Sequence, residues 1–177
     1  YNWVLREKTG IEHVILDSTE TPLDQVDYTI FAPVMRFRDF IMVRSKPELH
    51  RLEHRCQQQI HTLDDLIHAL EAEIQRLHPR IAGIKIGLAY QRTLHFDKTT
   101  YHEAEEVFTN IFNQETFERV MVGNRHQYLS AGLSLQECKP LQDFLVHRII
   151  QVASQYNLPI QIHTGLQEGN ENVITNS

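Results

Sequence analysis

A chain of 177 residues, 41% hydrophobic and 23% charged, is long enough to bury one sizeable core, which excludes a disordered or fibrous protein. Its formal charge of -6 and pI near 6.0 leave no concentrated basic surface across the whole chain, which argues against a general nucleic-acid binder or a protein of acidic membranes and keeps small-molecule substrates open. Two cysteines, Cys56 and Cys138, form no C-x-x-C pair, so neither a disulfide framework nor a zinc ribbon is indicated, and a reducing, cytoplasmic setting is expected. No apolar run approaches the ~20 residues of a membrane span, and the first residues lack signal-peptide features. The chain opens on Tyr1 rather than Met and ends without a capping helix or closing strand, so both termini are expected to be edges of a longer protein.

In chain order, Trp3, Val4 and Leu5 lie among charges ahead of Gly10, which suits the last turns of a helix closed by a glycine. Ile11 to Asp17 then predicts a strand, with Asp17 either a site residue at the strand end or the opening of the polar Ser18-Thr19-Glu20-Thr21-Pro22 turn. Tyr28 to Met35 predicts a second strand, and Pro33, which has no donor, is expected near its end. Arg36 follows. A guanidinium there can clamp a substrate carboxylate bidentately, or it can form a surface pair with Asp39.

A helix is expected from near Pro47. His50-Arg51-Leu52-Glu53-His54 matches H-x-x-E-H, a zinc-protease pattern, but its polar neighbours favour a solvated helix over a catalytic one. Thr62 then caps a helix whose Leu63, Leu66, Ile67, Leu70, Ile74 and Leu77 keep helical spacing, so one face covers a sheet. Thr99 to Phe112 predicts another helix, and a further helical piece is expected over residues 114–127. Ser134 and Pro140 open the last helix, whose apolar set Leu141, Phe144, Leu145, Ile149, Val152, Ala153 and Tyr156 runs to Asn157 and Pro159.

Two strands carry chemistry. Ala82-Gly83-Ile84-Lys85-Ile86-Gly87-Leu88-Ala89-Tyr90 places a lysine inside an apolar run, where it must pair, lose its proton or be modified unless it snorkels from an edge strand. Tyr90 and Arg92 follow as hydrogen-bonding side chains at the strand's mouth. Leu158-Pro159-Ile160-Gln161-Ile162-His163-Thr164-Gly165 reads as a buried strand that alternates Ile160 and Ile162 with Gln161 and His163, delivering the histidine to its carboxyl end. Ligands and catalytic groups collect at that end in alternating strand and helix folds. A core histidine bonded to backbone is the competing reading. The strands near Val14, Ile30, Ile86 and Ile162 are expected to be parallel and adjacent in that order, within one domain over residues 1–177.

Gly83-Ile84-Lys85-Ile86-Gly87-Leu88-Ala89-Tyr90-Gln91-Arg92-Thr93-Leu94 followed by Pro159-Ile160-Gln161-Ile162-His163-Thr164-Gly165 resembles the fourth and fifth strands of the amidohydrolase-related metal-dependent hydrolases, including those related to the nodulin-like amidohydrolase region. The resemblance implies an α/β fold, a (β/α)8 TIM barrel of which the chain is strands two to five, an incomplete barrel. It implies His163 as a metal ligand. Lys85 falls where some members carry a carboxylated lysine bridging two metals and others a polar contact to substrate. No H-x-H of a first strand is present, nor a sixth-strand histidine or eighth-strand aspartate, so the remaining ligands are expected outside the chain. On this reading Lys85 and His163 are catalytic and metal-binding. Arg36, Tyr90 and Arg92 bind substrate, and the cofactor is a divalent metal, zinc by preference. The implied activity is hydrolysis of a small-molecule amide, ester or related C–N or C–O bond through metal-activated water. A decarboxylase or uronate-type isomerase on the same barrel, or a non-catalytic binding or assembly domain, stands as the alternative, with a homo-oligomer left open.

Overall fold

The computed structural model describes residues 3–17, 21–114, 117–122, 125–130 and 132–164. A π-helical segment, Trp3–Lys8, ends at Gly10, whose φ of 70° is the left-handed conformation that a glycine adopts without a Cβ penalty. Four strands follow in one sheet, β1 (Val14–Asp17), β2 (Phe31–Met35), β3 (Gly83–Ile86) and β6 (Ile160–Ile162), all parallel and in the order β1-β2-β3-β6. The helices between them are α1 (Arg38–Ile41), α2 (Lys46–Cys56), α3 (Leu63–Leu77), α4 (Tyr101–Asn113) and α5 (Leu135–Gln155). This is a mixed α/β fold with a parallel half-barrel sheet, four strands where a complete (β/α)8 barrel has eight.

The expected strands are present but shorter: β1 and β2 start later and end where expected, and β3 and β6 are trimmed at both ends. Pro33 stands in the middle of β2 rather than near its end. The β2–β3 ladder explains the tolerance. It begins only at Val34↔Gly83, so the position where a Pro33 N–H would be needed precedes the paired stretch, and the Pro33 carbonyl still accepts the Ala82 N–H at 2.7 Å. The strand at Ile160–Ile162, read as buried from sequence, is an edge strand among the described residues, and Ile162 is 43% exposed.

The segment expected to continue as helix is instead an antiparallel hairpin, β4 (Phe117–Val122) and β5 (Arg125–Ser130), paired from Phe117↔Ser130 to Val122↔Arg125. Helical periodicity competes poorly here with β-branched and aromatic content, and residues 117–122 and 125–130 pair locally across a short connection.

The core forms between the sheet and its helices. Every apolar position read from α3 is buried, as are Ala104, Val107, Phe108 and Ile111 of α4 and Leu141, Leu145, Ile149, Val152 and Ala153 of α5. Ile84 and Ile86 of β3 join this cluster, so the face of β3 that carries them is the helix side of the sheet. Three helices start on a reciprocal capping box. Thr62 with Asp65, Thr100 with Glu103 and Ser134 with Glu137 each exchange side-chain and backbone hydrogen bonds. Pro140 lies inside α5, not at its opening, which falls at the Ser134 cap.

Candidate functional site

Strand alternation sets the site. With Ile84 and Ile86 turned to the helices, Lys85 stands on the opposite face, and the register pairs it with Gln161 of β6. Arg36 follows β2 by one residue on the same alternation, and Asp17 ends β1 opposite Val34. His163 follows β6 directly, and its backbone N–H donates to the Ile86 carbonyl at 2.9 Å, extending the ladder by one step. Asp17, Arg36, Lys85 and His163 therefore come from the carboxyl-end halves of four adjacent parallel strands.

Lys85 is half-buried on an interior strand, which removes the edge-strand explanation for it. It makes no hydrogen bond or ion pair among the described residues. The His163 ring is tilted at 52° to the Tyr90 ring with centroids 5.0 Å apart, and among the described residues its Nε2 is buried without a hydrogen-bond partner. The core-histidine reading called for ring nitrogens bonded to backbone, and this nitrogen is not. Tyr90 is itself 48% exposed, and its ring lies against the imidazole. Gln91 beside it has a second orphan, a buried Oε1.

Arg36 does not pair with Asp39. Its Nε donates to Asp17 Oδ1 at 2.9 Å and its Nη2 bonds Oδ2, a two-pronged ion pair across the first two strands, while Asp39 takes Arg55 at 2.8 Å. The guanidinium lies against Gly87. A Cβ built there would stand 3.4 Å from Arg36 Cζ and Nη1, so the absent side chain provides the bed on which the guanidinium rests. Asp17, weighed in sequence mainly as a turn residue, is thus the partner that sequence spacing alone could not supply.

Arg92 is placed apart from these groups and occupied elsewhere. Its side chain is 6% exposed, with Nη2 donating to Asp143 Oδ1 at 2.6 Å and Nη1 to Gln142 Oε1 at 2.9 Å. Nε and Nη2 also reach the Thr93 and His95 carbonyls, and the guanidinium plane lies 5.1 Å from the Phe96 ring centroid. Asp143 accepts Lys139 and the Asp97 N–H as well, so the loop after β3 is laced to α5 through one buried carboxylate. Burial pulls the Lys139 pKa down, but the hydrogen bonds and charges of Asp143 and Asp97 together raise it above its ordinary value. The sequence signal for this cluster was visible but unread. Gln142 and Asp143 are polar residues within the buried surface of α5, and Lys139 sits four residues before the acid.

The H-x-x-E-H helix behaves as solvated, with His50 and His54 exposed and Glu53 accepting the Ile60 N–H at 2.8 Å. Among the described residues no group of three His, Cys, Asp or Glu is arranged to hold a metal. No described helix is long and apolar enough to cross a membrane.

No protein-family model and no curated protein matches the chain. Solved structures do. A uronate isomerase from Thermotoga maritima superposes with a TM-score of 0.59 at 15% identity, over 80% of this chain and 28% of its own. A protein described as a metal-dependent hydrolase from Lactobacillus casei superposes with a TM-score of 0.61 at 15% identity, over 94% of this chain and 39% of its own. At this identity the likeness carries the fold, and the chain spans well under half the length of either structure.

Proposed function

We propose that the chain supplies part of the catalytic mouth of a metal-dependent hydrolase of the amidohydrolase superfamily, acting on a small-molecule amide, ester or related bond. The observation that carries this reading is the buried, unpartnered Nε2 of His163 at the carboxyl end of a parallel strand. An imidazole nitrogen without a hydrogen-bond partner among the described residues is open to a metal, and the ring contact with Tyr90 supports its direction. The likeness to two enzyme-type barrels supports the same end of the sheet as the place of chemistry.

The described residues fit a divalent metal only in part. A catalytic zinc takes three protein ligands, and His163 is one, so the others come from outside the described residues. When bound, such an ion would polarise the scissile group and acidify a water. The chain's own residues divide the remaining work. Lys85 offers its Nζ, which makes no hydrogen bond or ion pair among the described residues, to a substrate oxygen on the inner face. Arg36, held flat on Gly87 by Asp17, presents its remaining N–H to an anionic group, and the Tyr90 hydroxyl can donate at the rim. Arg92 acts at a distance, by holding the loop that carries Tyr90.

Uronate-type isomerisation or decarboxylation on the same barrel is the second reading. The fixed Arg36 guanidinium favours it, because both reactions handle substrates that carry a carboxylate.

His163→Ala tests the first reading in the protein carrying the whole barrel. Metal affinity, followed as metal content by elemental analysis, should fall by at least the ~10–100-fold that even outer partners of a metal are worth, while the melting temperature changes little because the ring lies beyond the last residue of its strand and not in the core. Full metal occupancy with a large drop in melting temperature would make His163 a structural residue.

A further inference from the structure

We infer that the cavity between α1 and α2 is a binding site for a small dianion of the phosphate-ester or dicarboxylate class. The cavity holds about 350 Å³ and is lined by Arg38, Arg44, Arg51 and Arg55 together with Asp39, Glu48, Met42 and Leu52. Four guanidinium groups against two carboxylates leave a formal charge of +2, in a chain whose own formal charge is -6. Collecting like charges in one concavity costs electrostatic free energy, which an anion of matching charge would relieve.

The four arginines are not equivalent. Arg55 is held by Asp39 at 2.8 Å and lies 5.0 Å over the Phe40 ring. Arg44 is fixed by its N–H to Glu48 at 2.8 Å and its Nη1 to the Leu133 carbonyl at 3.1 Å, while the Leu133 N–H returns to the Arg44 carbonyl at 2.9 Å. These two form a preorganised wall. Arg51 has only a loose contact with Glu48, at 3.6 Å, and the Arg38 guanidinium makes no hydrogen bond or ion pair among the described residues. Two fixed guanidinium groups and two uncommitted ones around one cavity supply donors that can close on an oxyanion through bidentate bonds. The buried Leu52 and half-buried Met42 supply an apolar floor, which suits a ligand with a short carbon body between or beside its charges.

The test is calorimetric titration of the protein with inorganic phosphate and with succinate, in Tris chloride of low ionic strength. Saturable binding of either at one site per chain is expected, the tighter of the two assigning the class. The variant carrying Arg38→Gln and Arg51→Gln should bind at least ~10-fold more weakly, since each charge-assisted hydrogen bond is worth about a factor of ten or more. Lys98→Gln, which removes an exposed charge outside the cavity, controls for net charge and should bind as the parent does. No saturable binding of either anion, or equal weakening by Lys98→Gln, overturns the proposal. Both arginines are exposed, so far-ultraviolet circular dichroism of the double variant should match the parent.

Discussion

At Gly83 the residue leading into β6 passes close against β3. A Cβ there would stand 2.7 Å from the Pro159 carbonyl oxygen, which is backbone and accepts the Ile84 N–H at 2.9 Å, so neither atom can yield without opening the ladder. Gly83→Ala should destabilise the protein by about 1–3 kcal/mol, the usual cost of overpacking, as read by urea unfolding. Gly87→Ala meets only a side-chain tip at 3.4 Å and should be much milder, so the pair of variants separates backbone from side-chain crowding. Both glycines stood out in the sequence as interruptions of an apolar strand. What each one admits, a carbonyl in one case and a guanidinium in the other, depends on chain far away in sequence. The same limit applies to Arg36. Its charge was legible, but its partner Asp17 lies 19 positions back and became a neighbour only through the β1–β2 register.

Helices were read well because capping and periodicity are local. Thr62, with acids behind it and a hydrophobic stripe ahead, announced α3 to within a residue. The hairpin β4–β5 was misread because its pairing is a contact between segments that no single-segment pattern reports. The capping boxes also set an acid response. The Thr62 hydrogen bond holds the Asp65 carboxyl below its ordinary range, the Thr100 backbone does so for Glu103, and the Ser134 side chain for Glu137. A carboxylate with a depressed folded pKa contributes stability that is present above its unfolded pKa, about 4, and is lost as pH falls through the folded value. The melting temperature should therefore be flat from pH 7 down to about 5 and decline below about 4, with Asp65→Ala flattening part of the decline. In contrast to these exposed caps, the Arg92–Asp143 pair is buried on both sides. Asp143→Ala should cost about 3–5 kcal/mol by leaving the buried Arg92 guanidinium without its carboxylate, and removing Arg92 as well should cost less than the two single changes added together. A double-mutant cycle in urea measures this, and additive effects would mean that the cluster is solvated rather than coupled.

The parallel order of the four strands and the helix-covered face followed from connection lengths and burial patterns, so the architecture was open to sequence reading. The inner face was less so. It combines Asp17, Arg36, Lys85 and His163 from strands spread over most of the chain, and only the completed sheet brings them into one row. α5 is what ties that row's surroundings together. It packs on α1, α3 and α4, and through Asp143 and His147 it also holds the loop at Asp97, whose N–H points at the Asp143 carboxylate at 3.1 Å and whose carbonyl meets His147 Nε2 at 3.0 Å. A loop anchored in this way does not open on its own timetable. In amide hydrogen exchange, the Asp97 N–H should trade its proton at the slow pace of the middle of α5 rather than at the pace of a surface connection, and Asp143→Asn should release it by orders of magnitude while the helix amides beneath shift far less. The fourteen residues between β3 and α4 then count, kinetically, as an outlying turn of the helix they rest on.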